Sequence, residues 1–402
     1  MRPFTSTISL EEEHRTLSEA VEPISRTERV RLADAAGRVV AREIVSPIEV
    51  PPFARSTMDG YAVRSSDVGG ARRDRPAFLR IVERIYTGQP PTVAIAAGTC
   101  AEIATGAPIP RGADAVVMVE ETVATGAKDV SVLARAVPGQ NVSPRGGDIA
   151  RGTRVVSSGD LLTPGRVGAL AAIGCEEIQV FARPRIAILS TGNEVVEPGQ
   201  PLAPGQIFDV NRFTLAAIVS AHGGVPETHA PAHDSLDALT SAVDRCSTAD
   251  MIVFSGSSSV GERDLVPDLV AARGEMVFHG VAIKPGKPTA FARVAGKPFF
   301  GMPGNPTSCL SNAYVLLVPF LRALARLPAY VPRIVRAPLG RRIASASGRH
   351  TFYTVRIENG RAFPAFKGSG AITSLSLADG YIEIAADQNA VEEGALVDVT
   401  LF

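Results

Sequence analysis

Apolar and polar positions alternate along this chain in three successive rhythms, and each predicts a different architecture. Residues 10–21 read as an opening helix: Ser9 can cap it, Glu11, Glu12 and Glu13 sit where the helix dipole favours anions, and Pro23 ends it. The pattern predicts further helix over 32–43, running into Ile44. From Ser46 the run SPIEVPPFARSTMDGYAVR has prolines too closely spaced for a helix interior or a central strand, which marks a boundary. Short β-like runs follow, FLRIVERIY, TCAEIAT, AVVMVEET and DVSVLARAV, separated by Gly, Pro and Asp turns at hairpin spacing. After RGGDIARG a helix is expected over 163–173, opened by TPG and closed by Gly174.

From Arg183 the rhythm becomes strand, loop, helix. IAIL meets STGNE, a helix follows over 211–221, and the run PETHAP leads to His233 and Asp234. A helix over 235–246 precedes MIVF, the loop SGSSSVGERD and the helical LVPDLVAAR. MVFHGVAI then leads to KPGKP, and PTAFARV and PFFG lead to MPGNP and a long helix over 307–325. Such alternation implies right-handed crossovers and a largely parallel sheet, with ligands at the carboxyl ends of its strands. Beyond Pro328 the period falls to two, in RIVRAPL, HTFYTVRIENG, RAFPAFKG, YIEIAA and ALVDVTLF, which predicts a small β-barrel or sandwich. GSGAITSL within it is either a binding loop or a connector.

The predicted fold is therefore multi-domain α/β plus β. Residues 1–46 and 149–182 form an N-terminal helical and linker domain, and 47–148 an inserted, mostly β domain. Residues 183–328 form a central parallel α/β sheet domain and 329–402 a C-terminal β-barrel. The length of 402 residues agrees, being too great for one ordinary core. Lys+Arg and Asp+Glu are both 41, so no global charge steers the chain to nucleic acid or to a membrane surface. Cys100, Cys175, Cys246 and Cys309 lie far apart without metal-ligand spacing, which points to a reducing cytoplasm and away from zinc or a disulfide framework. No run of 18 or more apolar residues and no signal-peptide core is seen, so no membrane partner is expected.

The chemistry concentrates where the middle rhythm breaks. A buried strand ending in glycines and serines brings backbone N–H groups against a phosphate, which makes Ser190, Thr191 and Gly192 candidate binding residues. Ser255, Gly256, Ser257, Ser259 and Gly261 are candidates on the same ground. Glu194, Asp234 and Asp264 put carboxylates at the strand ends, and Mg²⁺ takes oxygen ligands from one or two carboxylates plus substrate phosphates. Glu194 and Asp264 are the candidate metal ligands. Lys284 and Lys287 bracket a Pro-Gly turn and can present two ammoniums to an anion. Pro303, Gly304, Asn305 and Pro306 join a strand to a helix, with Thr307 or Ser308 as the expected N-cap. Against these stands the plain reading of solvated loop acids and surface lysines; clustering on one rim favours metal-assisted phosphate chemistry. Walker A, GxGxxG, GxSxG and HExxH are all absent.

TMDGYAV, TGAPIPRGADAVVMVEET, RGGDI, STGNE, SVGERD, IKPGKP and MPGNP, in this order, resemble the molybdopterin molybdenumtransferase family, akin to the E domain of gephyrin. The resemblance implies insertion of molybdate into adenylylated molybdopterin with Mg²⁺, release of AMP and formation of molybdenum cofactor. It implies a molybdopterin-binding type of α/β domain. It also implies a homodimer whose α/β domain faces other domains of its mate, with the adenylyltransferase and recipient molybdoenzymes as further partners. By motif, the family's functional positions fall on Asp59, Thr105, Asp148, Glu194, Asp234, Asp264, Lys284, Lys287, Pro303 and Pro306. Of these Asp59, Asp148, Glu194, Asp234, Asp264 and Lys284 are the expected catalytic residues. The chain departs from the family pattern at Ser257, where a glycine is common, at Gly280, where some members carry lysine, and at Ser235, where a second acid is common. A cofactor-binding or scaffolding homologue and a tungstate-specialised paralogue remain open alternatives.

Overall fold

The computed structural model describes residues 7–256, 265–345 and 348–402. The chain divides into two compact units, Met1–Glu28 with Phe181–Phe402 and Arg29–Val180.

The larger unit is built on a six-stranded sheet in the order Val225–Thr228, Arg185–Ser190, Met251–Gly256, Lys297–Pro303, Ala290–Val294, Gly274–His279. The first four strands are parallel, and Ala290–Val294 runs antiparallel to both of its neighbours. Strand side chains alternate between faces, and both faces here are covered, which is why these segments read as continuous apolar runs. Ile186, Ile188, Met251, Val253, Phe300 and Met302 pack on one side with Leu215 and Ile218 of the helix Asn211–Ala221 and with Leu316 and Leu321. Ala187, Leu189, Ile252, Phe254 and Phe299 pack on the other with Leu239 and Val243 of Leu236–Arg245 and with Leu269 of Val266–Arg273. Ser235 caps Leu236–Arg245, accepting from the Ala238 amide at 3.2 Å.

The helix Pro306–Leu324, 19 residues long, is apolar and long enough to cross a membrane, but it is a core helix whose Cys309, Ala313, Leu316 and Leu317 are fully buried. It carries a π-helical stretch, Ala313–Leu317.

The helix Leu10–Ala20 begins where expected, with Ser9 Oγ accepting from the Glu12 amide at 3.1 Å. It corrects the expected grouping of residues 1–46, because Leu10 and Leu17 join the core of the α/β sheet and not a separate helical domain. The same helix buries Glu13 completely, and loss of hydration pushes its pKa up to about 8. Ile8 bridges in parallel to Val281, just before the lysine turn.

C-terminal strands Ile334–Pro338, His350–Glu358, Arg361–Pro364, Gly380–Ile384 and Leu396–Leu401 pair antiparallel around the core of Leu339, Val355, Ile382 and Val399. A bridge between Leu339 and Ala362 joins the two ends of this path.

In the unit Arg29–Val180, a second six-stranded sheet runs Ala115–Met118, Gly60–Val63, Thr99–Ile103, Ala77–Ile85, Asp129–Val132, Thr122–Ala124. One pair in it, Ala77–Ile85 with Thr99–Ile103, is parallel where hairpins alone were expected. The helix expected over 32–43 is not formed. Only Leu32–Asp34 makes a short 3₁₀ turn, Gly37 takes φ +75°, and Val39 and Val40 bridge to Leu161 and Val180, so tertiary pairing overrides local propensity. Pro164–Ala172 is a helix as expected, capped by Thr163, and it buries Leu170 beside Val156 and Ile178.

Candidate active site

Three adjacent parallel strands end together. Ser190 stands beside Ser255 and Ser255 beside Met302, and one residue further Gly256 stands beside Pro303. Beyond these ends opens a cleft of about 980 Å³, bounded also by Asn211, the turn Lys284 to Pro288 and, from the C-terminal strands' side, Arg349, Phe366, Ser369 and Ile372. The strand ends approach too closely for side chains at two points. A Cβ on Gly256 would lie 2.3 Å from Thr191 Oγ1, and one on Gly304 2.7 Å from the Gly256 carbonyl oxygen.

The floor of the cleft is a buried hydrogen-bonded network. Ser190 Oγ donates to Asp209 Oδ2 at 2.7 Å, and the Arg212 amide donates to Asp209 Oδ1 at 3.1 Å. Arg212 Nε lies 3.4 Å from Asp209 Oδ2, and its Nη2 donates to Glu197 at 2.8 Å. Asn211 Nδ2 donates both to Ser255 Oγ at 2.7 Å and to the Gly304 carbonyl at 2.8 Å, stitching two strand ends to the start of its own helix. Cys309 lies behind Ser255, and burial pushes its thiol up to about 12, which leaves it an inert packing group.

The charged groups stand at the mouth. Ile283 and Lys284 pair in parallel with His350 and Thr351, so the lysine turn leaves the edge of the C-terminal sheet next to Arg349 in sequence. The turn is held from behind by Asn312, fully buried, whose Nδ2 donates to the Gly286 carbonyl at 2.8 Å and to Thr289 Oγ1 at 2.5 Å. Gly286 has φ +97°, and a Cβ there would meet Asn312 Nδ2 at 2.2 Å. Glu194 is exposed on the turn after Ser190, with its carboxylate folded over Gly192. Asp234 reaches the same cleft because Ala232 bridges to Thr191 and the Asp234 amide donates to Asn193 Oδ1 at 3.3 Å. Its Oδ1 is buried without a hydrogen-bond partner among the described residues.

Pro306 opens the helix that leaves the Pro303–Gly304–Asn305 turn, and Asn305, not Thr307 or Ser308, is the N-cap. Proline at the first helical position is pre-set in φ and lacks only an amide that would have had no helical partner. Thr307 is instead used sideways: its amide donates to the Ser369 carbonyl at 2.9 Å and its Oγ1 to the Ala371 carbonyl at 2.8 Å. Those bonds draw the 368–375 segment, open in the sequence between binding loop and connector, onto the cleft wall.

Thus Ser190, Thr191, Gly192, Glu194, Asp234, Ser255, Gly256, Lys284, Lys287, Pro303, Gly304, Asn305 and Pro306 share one cleft. Ser257, Ser259, Gly261, Glu262 and Asp264 lie outside the described residues. Asp59, Thr105 and Asp148 belong to the unit Arg29–Val180; Asp59 Oδ1 accepts from the Thr105 amide at 2.7 Å, and Asp148 lines a smaller hollow of about 460 Å³. Among the described residues no three His, Cys, Asp or Glu side chains converge as a metal site. Sequence reasoning missed Asp209, Asn211, Arg212, Arg349 and Phe366. A signal for the first three was present in DVN directly before an amphipathic helix, but it reads equally as an ordinary helix entry.

A sheet whose parallel strands end together beneath a charged mouth defines an α/β protein with its candidate site at the carboxyl ends of its strands. Comparison with known proteins narrows this. The chain matches the MoeA N-terminal region (domain I and II) over residues 8–174, the probable molybdopterin binding domain over 187–323, and the MoeA C-terminal region (domain IV) over 336–402. It is 35% identical to molybdopterin molybdenumtransferase 2 of Mycobacterium tuberculosis, covering 97% of this chain and 98% of that one. It is 32% identical to the molybdopterin molybdenumtransferase of Haemophilus influenzae, covering 94% of each. A crystal structure of a molybdopterin biosynthesis MoeA protein from Pyrococcus horikoshii superposes with TM-score 0.83 at 29% identity, covering 99% of this chain and 100% of that one. The chain belongs to the molybdopterin molybdenumtransferase family of molybdenum cofactor biosynthesis.

Proposed function

We propose that this chain inserts molybdate into adenylylated molybdopterin in the cleft at the strand ends, with Mg²⁺, releasing AMP and forming molybdenum cofactor. The observation that carries this is the division of the cleft: a buried neutral floor for the uncharged part of a ligand and, at the mouth, Lys284, Lys287 and Arg349 for its anions. A volume of about 980 Å³ suits a large nucleotide-linked substrate.

The donor set fits Mg²⁺. Glu194 offers exposed carboxylate oxygens and Asp234 a buried oxygen lacking a partner among the described residues; hard oxygens from one or two side chains, completed by substrate phosphate, are what this ion takes. Asp264 is proposed to join them. When bound, the ion offsets charge on the pyrophosphate as the bond to AMP breaks. Lys284 and Arg349 then hold molybdate as an oxyanion; the lysine as a point charge and the arginine as a planar fork confer different orientations on it. Gly256 and Gly304 let ligand atoms approach backbone that any side chain would cover. A carboxylate of the mouth not engaged by metal can move the proton that the leaving group requires. Asp59, Thr105 and Asp148 keep their proposed part on the motif resemblance. The working form is proposed to be a homodimer in the cytoplasm, serving the adenylyltransferase upstream and recipient molybdoenzymes downstream.

Purified protein given adenylylated molybdopterin, Mg²⁺ and molybdate should release AMP in step with cofactor formation. No AMP and no cofactor under those conditions would remove the proposal. Tungstate in the same assay reports metal preference, and light scattering at micromolar concentration reports the dimer.

A further inference from the structure

Among the described residues, two side-chain oxygens of the floor have no hydrogen-bond partner. Asn211 is 8% exposed and Thr191 4%, and neither Asn211 Oδ1 nor Thr191 Oγ1 has a hydrogen-bond partner among the described residues. The orientation of the Asn211 amide is not open. Its nitrogen lies 2.8 Å from the Gly304 carbonyl oxygen, which can only accept, so the NH₂ must face Gly304 and Ser255 and the carbonyl oxygen must face the other way. Thr191 Oγ1 sits over Gly256, where even a methyl group would collide with it. Both residues line the cleft. A buried acceptor left without a donor is costly, and native proteins seldom retain one without a use.

We infer that Asn211 and Thr191 form a reading head for a heterocyclic N–H donor, and so select a neutral amino-bearing ring while the lysine and arginine side takes the anion. The charge around them agrees: Asp209 and Arg212, the charged groups of the floor, neutralise each other, and Ser190 spends its hydroxyl on Asp209. A neutral ring therefore meets no unpaired buried charge there. Two rings in the proposed substrate carry such a donor, the adenine through its 6-amino group and the pterin through its 2-amino group. The inference rests on the reading of the cleft as the substrate site, and the test separates the two.

Binding is measured by calorimetry for AMP against purine riboside 5′-monophosphate, which lacks the amino group, and for 6-carboxypterin against its desamino counterpart. Wild type is expected to prefer the amino-bearing member of one pair by about threefold to tenfold, the worth of one net hydrogen bond. Thr191→Val removes a hydroxyl without a hydrogen-bond partner among the described residues, so it should keep the fold and abolish part of that preference. Asn211→Leu, which removes the acceptor oxygen, should abolish it further, while Lys284→Ala weakens both members of a pair equally. Preference in the AMP pair names adenine as the ring read, and preference in the pterin pair names the pterin; either supports the inference. Tight binding of both pairs with no amino preference, or a preference untouched by Thr191→Val and Asn211→Leu alike, overturns it and leaves the anion cleft standing. Failure of all four ligands to bind overturns the proposed function and this inference with it.

Discussion

The floor and the mouth of the cleft are built by opposite rules. At the floor, Asp209 and Arg212 are both 4% exposed and are held by short-range bonds to Ser190, Glu197 and backbone. At the mouth, Lys284 and Glu194 stand exposed. Buried charge survives only when paired, whereas an exposed charge kept for a ligand must not be spent on a neighbour. The difference predicts that floor substitutions cost stability and mouth substitutions cost activity.

The largest effect should come from Asp209→Ala, which leaves the Arg212 guanidinium buried without its acid. A loss of about 3–5 kcal/mol in urea unfolding is expected, and an unchanged midpoint would break the comparison. Next is Lys284→Ala, with AMP release slowed about a hundredfold or more and stability within about 0.5 kcal/mol of wild type. A third test takes a buried acid that obeys neither rule. Glu13 is fully buried, neither of its oxygens has a hydrogen-bond partner among the described residues, and His14 Nε2 is 3.5 Å away. Its folded pKa is raised to about 8, so the folded state binds a proton that the unfolded chain has lost. The stability that this proton confers is complete below the unfolded value and is lost as pH rises through about 8. Glu13→Gln should therefore match wild type near the unfolded carboxylate pKa of about 4.3 and exceed it by a few kcal/mol once the pH passes the folded value. Denaturation at the two pH extremes checks it. The smallest effect is Gly286→Ala, where a positive φ and the approach of Asn312 combine to cost about 1–3 kcal/mol, read as reduced molybdate affinity when the lysine turn shifts.

Legibility followed the same division. The mouth could be read from the sequence because Glu194, Lys284 and Lys287 are charged residues in Gly- and Pro-rich turns directly after apolar runs, and such residues have little structural reason to be there. The floor could not. Asn211 and Asp209 look like helix-entry residues, and only the register of Ser190, Ser255 and Met302 across three strands gives them a common purpose. Arg349 was hidden for another reason, since it reaches the cleft through pairing of Ile283 with His350, a contact between distant segments. The α/β alternation and the helices at 211, 236 and 306 followed from periodicity and caps. The failed helix over 32–43 shows the limit of that method: Val39 and Val40 are spent on bridges to Leu161 and Val180, 122 and 140 positions further on.

The pairing of Ile8 with Val281 has a consequence for how the protein is made. During synthesis the helix Leu10–Ala20 leaves the ribosome some 270 residues before the segment it must pack against. At about 5–20 residues per second that is a wait of roughly 14 to 55 s between the two halves of that bridge. The acidic first turn, Glu11 to Glu13, keeps one end of that waiting helix soluble, and Glu13 takes up its proton only when the late-made core closes over it. The lysine turn lies between an N-terminal bridge and the C-terminal strand His350–Glu358, so early and late parts of the chain meet beside it.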